Sequence, residues 1–568
     1  MNGAVKVAKE LPLLDIQIHK STQCLVSNFM RTFFKACEVM ELYGSTSATF
    51  PLSLVAENNF SVFGLGVTSY FPILTADFFN ATTYLPYTSD EYTFLIQWQA
   101  ELDVRVAEFA VAATVLSPIT PMAIAHQSYT KIAETVNGDK SFPQFVQGYG
   151  DHWNNDTYAG QLVGHTFIAC MLEATSHGFL LDLSESGTSK APVQLMKRAA
   201  VATAPSSLLR TRGHFTSGSQ LISIEIQDPS GPWMQFAPSD GVKWTMAKVS
   251  LFALAFFVVE CYHTGIHLFA GSVTSAIKKA VPAGTSLGQA VSPNTLQTIF
   301  ALFEQASILH SSHGSAFSGT TWSCNITEVW ATTRQIARYY LNTAPKDILG
   351  MNESSPDWWA GGSASFIEPI ESFADFAAQQ ALAPSDMSVL ANLQLELQNI
   401  GLWTEGSTQV TTPSGLSEFI RNFLFVAGIC HSHMYLTREF FTPLAGFTTT
   451  EPFLPYLQSP VSLLGFEVIV ELLFPTVPAT VNSLLILVYG TASGFGSGVP
   501  QLGDGPYPEG DDGLNGAVEA FQQGLNASRQ LVYGMFGNFT GGSFVPGYLY
   551  PVDVPKPFGY AITQTAYI

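Results

Sequence analysis

The 568-residue sequence predicts a mainly α fold, a single large helical domain over residues 1–568 with a few short strands. Three observations lead there. Apolar residues recur at helical spacing over long segments, strand-like alternation is confined to short pieces, and no internal repeat or long low-complexity linker divides the chain. Hydrophobic residues make up 47% of the chain and charged residues only 12%. Such helices have to be buried on most of their surface.

In chain order, the helical pattern covers residues 92–115, 243–278, 294–312, 327–342, 371–400, 416–437 and 513–534. The clearest alternating segment is "LISIEIQD" at 221–228, which predicts a strand. Patches rich in Gly, Pro and Ser at 203–218, 227–241, 355–364 and 493–515 read as surface loops. The apolar runs are interrupted: "VSLFALAFFVV" stops at Glu260, and "FEVIVELLF" carries two glutamates before Pro475. No unbroken run reaches the roughly 18 residues that span a bilayer, so no transmembrane segment is expected.

The net charge of −20 excludes nucleic acid as a partner, because phosphates demand basic patches. It equally disfavours electrostatic docking on anionic lipid. Cys24, Cys37, Cys170, Cys261, Cys324 and Cys430 are scattered without a CxxC pair, so no zinc or redox framework is read from them. N-glycosylation sequons stand at Asn59, Asn80, Asn155, Asn325, Asn352, Asn526 and Asn538. They point to a secreted, extracellular glycoprotein. The start "MNGAVKVAKELPLL" lacks the apolar core of a signal peptide, which fits a leader already removed.

Chemistry enters at "ECYHTGIH", residues 260–267. At 3.6 residues per turn His263 and His267 share one helix face within an apolar segment. A buried polar group left without a partner costs about 1–3 kcal/mol. Either each imidazole bonds a backbone carbonyl, or the two share a metal ion. The apolar helix "LSEFIRNFLFVAGICHSHMYLTREFF" carries two more, His431 and His433. Other features carry less. Thr264 fills the glutamate position of HExxH, which leaves a metal-dependent hydrolase a weak reading. The serines around His310 and His313 mark a helix end. Gly-rich "GTASGFGSG" at 490–498 lacks nucleotide-loop spacing.

These pieces together resemble the lipoxygenase family. Trp244, Ala247 and Lys248 precede His263 and His267 as in its "W-x-x-A-K, then two histidines" pattern. "LISIEIQD" and "FAPSDGVKW" are similar to its approach to the metal helix, and "YLYPVDVP" before a terminal "TAYI" is similar to its closing motif. The resemblance covers about residues 221–314, 416–437 and 545–568. It implies a lipoxygenase catalytic domain without the N-terminal β-barrel. The implied activity is oxygenation of polyunsaturated fatty acids by O2 to hydroperoxides, through one non-haem manganese or iron ion.

The resemblance also implies the ligands: His263, His267, His431 and the terminal carboxylate of Ile568, with His433 in reserve. Tyr435 stands where the family has Asn. The four-residue spacing of the first two histidines resembles secreted manganese lipoxygenases of fungi. Ala306 is the nearest match to a small residue that governs the face of oxygen addition, and Arg421 is a candidate for the fatty-acid carboxylate. The missing Asn keeps a catalytically inactive, lipid-binding relative as the alternative.

Overall fold

The structure is a computed structural model. It describes residues 171–183, 208–218, 220–282, 284–295, 326–349, 362–381, 386–403, 409–431, 453–459 and 512–536, with isolated positions and two-residue strand pairs elsewhere. Five strands form one antiparallel sheet in sequential order: β1 (Leu172–Thr175), β2 (Gly178–Asp182), β3 (Arg210–Phe215), β4 (Leu221–Gln227) and β5 (Trp233–Phe236). β4 is the predicted strand. β3 escapes a sequence reading because the inward members of its alternation are Thr211, Gly213 and Phe215, of which only one is a large hydrophobe. Arg210, Arg212 and His214 take the other face, where Arg212 pairs with Asp182 at 3.1 Å and stacks over Trp233.

After β5 the chain makes one 3-10 turn, Pro238–Asp240, closed by the Asp240 carboxylate accepting from Ala237 N at 2.7 Å. Gly241, at φ 60°, then swings the backbone into α1, Val242–Ala280. α1 is 39 residues long and spans about 58 Å. It is apolar on every side, as expected of a central helix rather than a surface one. Leu251, Phe252, Phe257, Phe269 and Val273 are fully buried, each contributing about 1.5–3 kcal/mol of transfer free energy. By length and composition, residues 242–274 are long and apolar enough to cross a membrane. The isolated polar residues do not lower the average hydropathy enough to exclude a span on composition, yet a mostly buried helix of this kind is what a protein core contains, so the reading from unbroken apolar runs is kept. Most of this segment is buried within the protein.

The other long helices are α2 (Ile326–Asn342), α3 (Ile367–Gln380), α4 (Met387–Asn399), α5 (Pro413–Leu424) and α6 (Asp512–Phe536). α1 packs against α2, α4 and the strands β3 and β4, while α3 packs against α5 and α6. The predicted helix over 371–400 is two helices. Pro384 lies between them, and proline neither donates a backbone hydrogen bond nor lets its predecessor turn helically. Thr412 caps α5 through its side chain, which accepts from Gly415 N. α5 continues directly into a π-helical turn, Phe425–Cys430. The predicted helices at 92–115 and most of 294–312 lie outside the described residues.

Candidate metal centre

His263 and His267 project from one face of α1, and His431 follows the π-helical turn. All three are buried, with 0%, 1% and 2% of their surface exposed. Their Nε2 atoms form a near-equilateral triangle. His263 lies 3.0 Å from His267 and 3.3 Å from His431, and His267 lies 3.0 Å from His431. The rings are turned at 84°, 35° and 64° to one another, so they do not stack.

Each imidazole Nε2 offers one in-plane site, either a lone pair or an N–H. Three such sites aimed at one another cannot all be satisfied by hydrogen bonds, since a shared proton still leaves a third nitrogen facing like partners. A cation between them satisfies all three at once. With metal–nitrogen bonds of about 2.0–2.1 Å, one ion could reach all three nitrogens at N···N separations of 3.0–3.3 Å, at angles of roughly 90–110°. Three neutral imidazole nitrogens suit a first-row transition metal such as iron, zinc, copper or nickel, and an added carboxylate would extend the choice to manganese. The residues present therefore fit a non-haem metal ion, and among the described residues they are the group that could hold one.

The π-helical turn decides which way His431 points. One residue inserted into an α-helix rotates everything beyond it by about 100°. Leu416, Phe419, Ile420 and Phe423 of α5 are buried against the protein interior. An uninterrupted α-helical register would set His431 on a different bearing from the one that meets α1. The turn is built from "FVAGIC", all six residues of which are buried. Periodicity alone did not reveal this turn.

Further along α1, Lys248 is almost wholly buried. Its Nζ donates to Asp156 Oδ1 at 2.9 Å, and Trp244 Nε1 donates to the same oxygen at 2.9 Å. Burial pushes the Lys248 ammonium below its ordinary 10.5, and the Asp156 carboxylate opposes that shift. Fifteen residues before His263, or about 22 Å of helix, this cluster anchors α1 and takes no direct part in the centre. The acceptor Asp156 was not singled out in the sequence.

Arg421 is not brought to the histidines. Its Nη1 donates to Glu371 Oε1 of α3 at 3.2 Å, ten residues before His431, or about 15 Å along the helix. Cys430, beside His431, is buried, and that burial pushes its thiol well above the ordinary range. His433, Tyr435, Ala306, His310, His313 and Ile568 lie outside the described residues.

No protein-family model matches the chain, and no curated protein matches it. Solved structures do. A calcium-dependent 11R-lipoxygenase is 12% identical, with a TM-score of 0.58 over 83% of this chain and 74% of that one. The coral 8R-lipoxygenase is 13% identical, with a TM-score of 0.55 over 82% and 75%. A lipoxygenase variant, Delta413-417:GS, determined anaerobically in complex with arachidonate, gives 12% and 0.58 over 85% and 76%. The fold is that of the lipoxygenase catalytic domain. At this identity the likeness concerns architecture, and the chemistry has to be argued from the three histidines.

Proposed function

We propose that the chain is a non-haem metal dioxygenase that adds O2 to polyunsaturated fatty acids such as linoleate and linolenate, giving hydroperoxides. The observation that carries this reading is the convergence of three buried imidazole Nε2 atoms within 3.0–3.3 Å. A manganese or iron ion held there would supply the one-electron chemistry needed to take a hydrogen atom from a bis-allylic CH₂. Of the two we take manganese, on the four-residue spacing of His263 and His267.

The chain's own residues hold and shield. His263 and His267 are fixed by the rigidity of a fully packed helix, and His431 by the π-helical turn. Tyr262, Ile266, Ile429 and Cys430 lie beside the ligands in sequence and are buried. Water is thereby kept from the ligand side, which strengthens electrostatic interactions there and protects a substrate radical from side reactions. The α-carboxylate of Ile568 belongs to the proposal as a fourth protein ligand, on the resemblance of "TAYI" to the lipoxygenase closing motif. Secretion with N-glycosylation belongs to it too; Asn526, a sequon asparagine on α6, is exposed.

The test joins two measurements on one sample. Metal analysis should find about one manganese or iron per chain, and linoleate should acquire conjugated-diene absorbance. Metal without diene absorbance would favour a lipid-binding relative that has lost catalysis. Stoichiometric zinc would overturn the reading.

A further inference from the structure

Gly265 stands on α1 midway between His263 and His267. It faces away from both, because two residues turn an α-helix by about 200°. On that far side α1 meets α2. A Cβ at Gly265 would stand 2.8 Å from Ile336 Cβ, closer still to Ile336 Cγ2, and 3.6 Å from Thr333 O. Carbon atoms attract best at about 3.5–4.0 Å, so α2 lies on the bare backbone behind the ligand pair with no room to spare.

The same helix also holds the other ligand segment. Five residues after Ile336, Leu341 O accepts from the buried Asn422 Nδ2 of α5 at 3.0 Å. α5 then runs through the π-helical turn into His431. One helix therefore braces both halves of the centre, through Gly265 on α1 and through Asn422 on α5.

We infer that Gly265 is a positioning residue for the three-histidine centre. The lack of a side chain there sets the spacing between the His263–His267 pair and His431. This rests on the proposed function, in which the three imidazoles hold a metal ion. A methyl group at Gly265 drives α1 and α2 apart. Because α2 is tied to α5, the displacement reaches the Nε2 triangle rather than being absorbed at the surface.

Apo protein is titrated with Mn(II), and both affinity and the electron paramagnetic resonance spectrum of the bound ion are read. Gly265→Ala should weaken binding by about 10–100-fold, the usual effect of disturbing what orients a metal ligand, and should change the spectrum. Gly265→Ala with Ile336→Gly, which removes both side-chain atoms that the new Cβ meets, should return affinity and spectrum to those of the parent. Gly524→Ala serves as the control. Its Cβ would stand 2.6 Å from Pro369 Cβ at a helix crossing that bears no ligand, so it should lower the melting temperature and leave both readouts unchanged. Parent-like affinity and spectrum in Gly265→Ala overturn the inference, as does a double variant that fails to recover. If Gly265→Ala does not fold, the double variant decides alone: parent-like binding supports the inference and weaker binding overturns it. A parent protein that binds neither Mn(II) nor Fe(II) overturns instead the metal reading beneath it.

Discussion

His267 Nε2 on α1 and His431 Nε2 beyond the π-helical turn lie 3.0 Å apart, although 164 residues separate them in the chain. The distance is short enough for one ion to bind both. Replacing any one of His263, His267 and His431 by Ala should abolish stoichiometric metal. Activity should fall by more than the roughly 10–100-fold that follows loss of an outer partner. His433→Ala should keep most of the metal, because the triangle closes through His431. Metal analysis of the four variants, alongside diene formation from linoleate, checks this.

Removing one residue from the π-helical turn should be more harmful than its chemistry implies. Deletion of Gly428 returns Phe425–Cys430 to α-helical winding and rotates His431 by about 100°. The variant should fold, since the α-helical turn is the more stable one, yet bind metal no better than His431→Ala. Retention of both helicity and metal would show that the turn does not aim the ligand.

Asp156 accepts from both Trp244 and Lys248. Asp156→Ala leaves a buried ammonium and an indole N–H without that acceptor. Breaking a fully buried pair costs about 3–5 kcal/mol. Asp156 is itself partly exposed, so the loss should be smaller, about 2–4 kcal/mol, read by denaturant unfolding.

Lys248 also makes a signed prediction about pH. Below its folded pKa it is charged in both states, and the fold bears the whole desolvation cost. As pH rises through the folded value towards the ordinary 10.5, the folded protein sheds the proton while the unfolded chain keeps it. The Lys248 contribution to stability therefore rises with pH. Lys248→Met removes that contribution. The unfolding free energy of the parent minus that of the variant should increase as pH rises towards 10.5, and a flat or falling difference would contradict it.

The Cys430 thiol, held protonated by burial, should resist alkylation in the native protein even though it neighbours a ligand. Mass spectrometry after iodoacetamide treatment should find Cys430 labelled only after unfolding, because the thiolate is the reactive form. Buried Cys261 should behave alike.

The sequence by itself determined the mainly α class, the extents of α1, α2 and α6 to within a residue or two, and the pairing of His263 with His267 on one face. All of these follow from local periodicity: 3.6 residues per turn places i and i+4 together whatever the rest of the chain does. It also pointed to His431, through resemblance rather than spacing. The tertiary structure alone decided that His431 reaches the other two, because a contact across 168 residues depends on how two helices pack. It likewise decided the π-helical turn, which has no periodicity of its own to read, and four of the five strands, whose buried positions include a glycine and a threonine. The roles of Gly265, Asn422 and Asp156 were equally hidden. A glycine at a helix crossing, an amide on a neighbour's carbonyl and a carboxylate beneath a buried ammonium are defined by their partners, and those partners are distant in the chain.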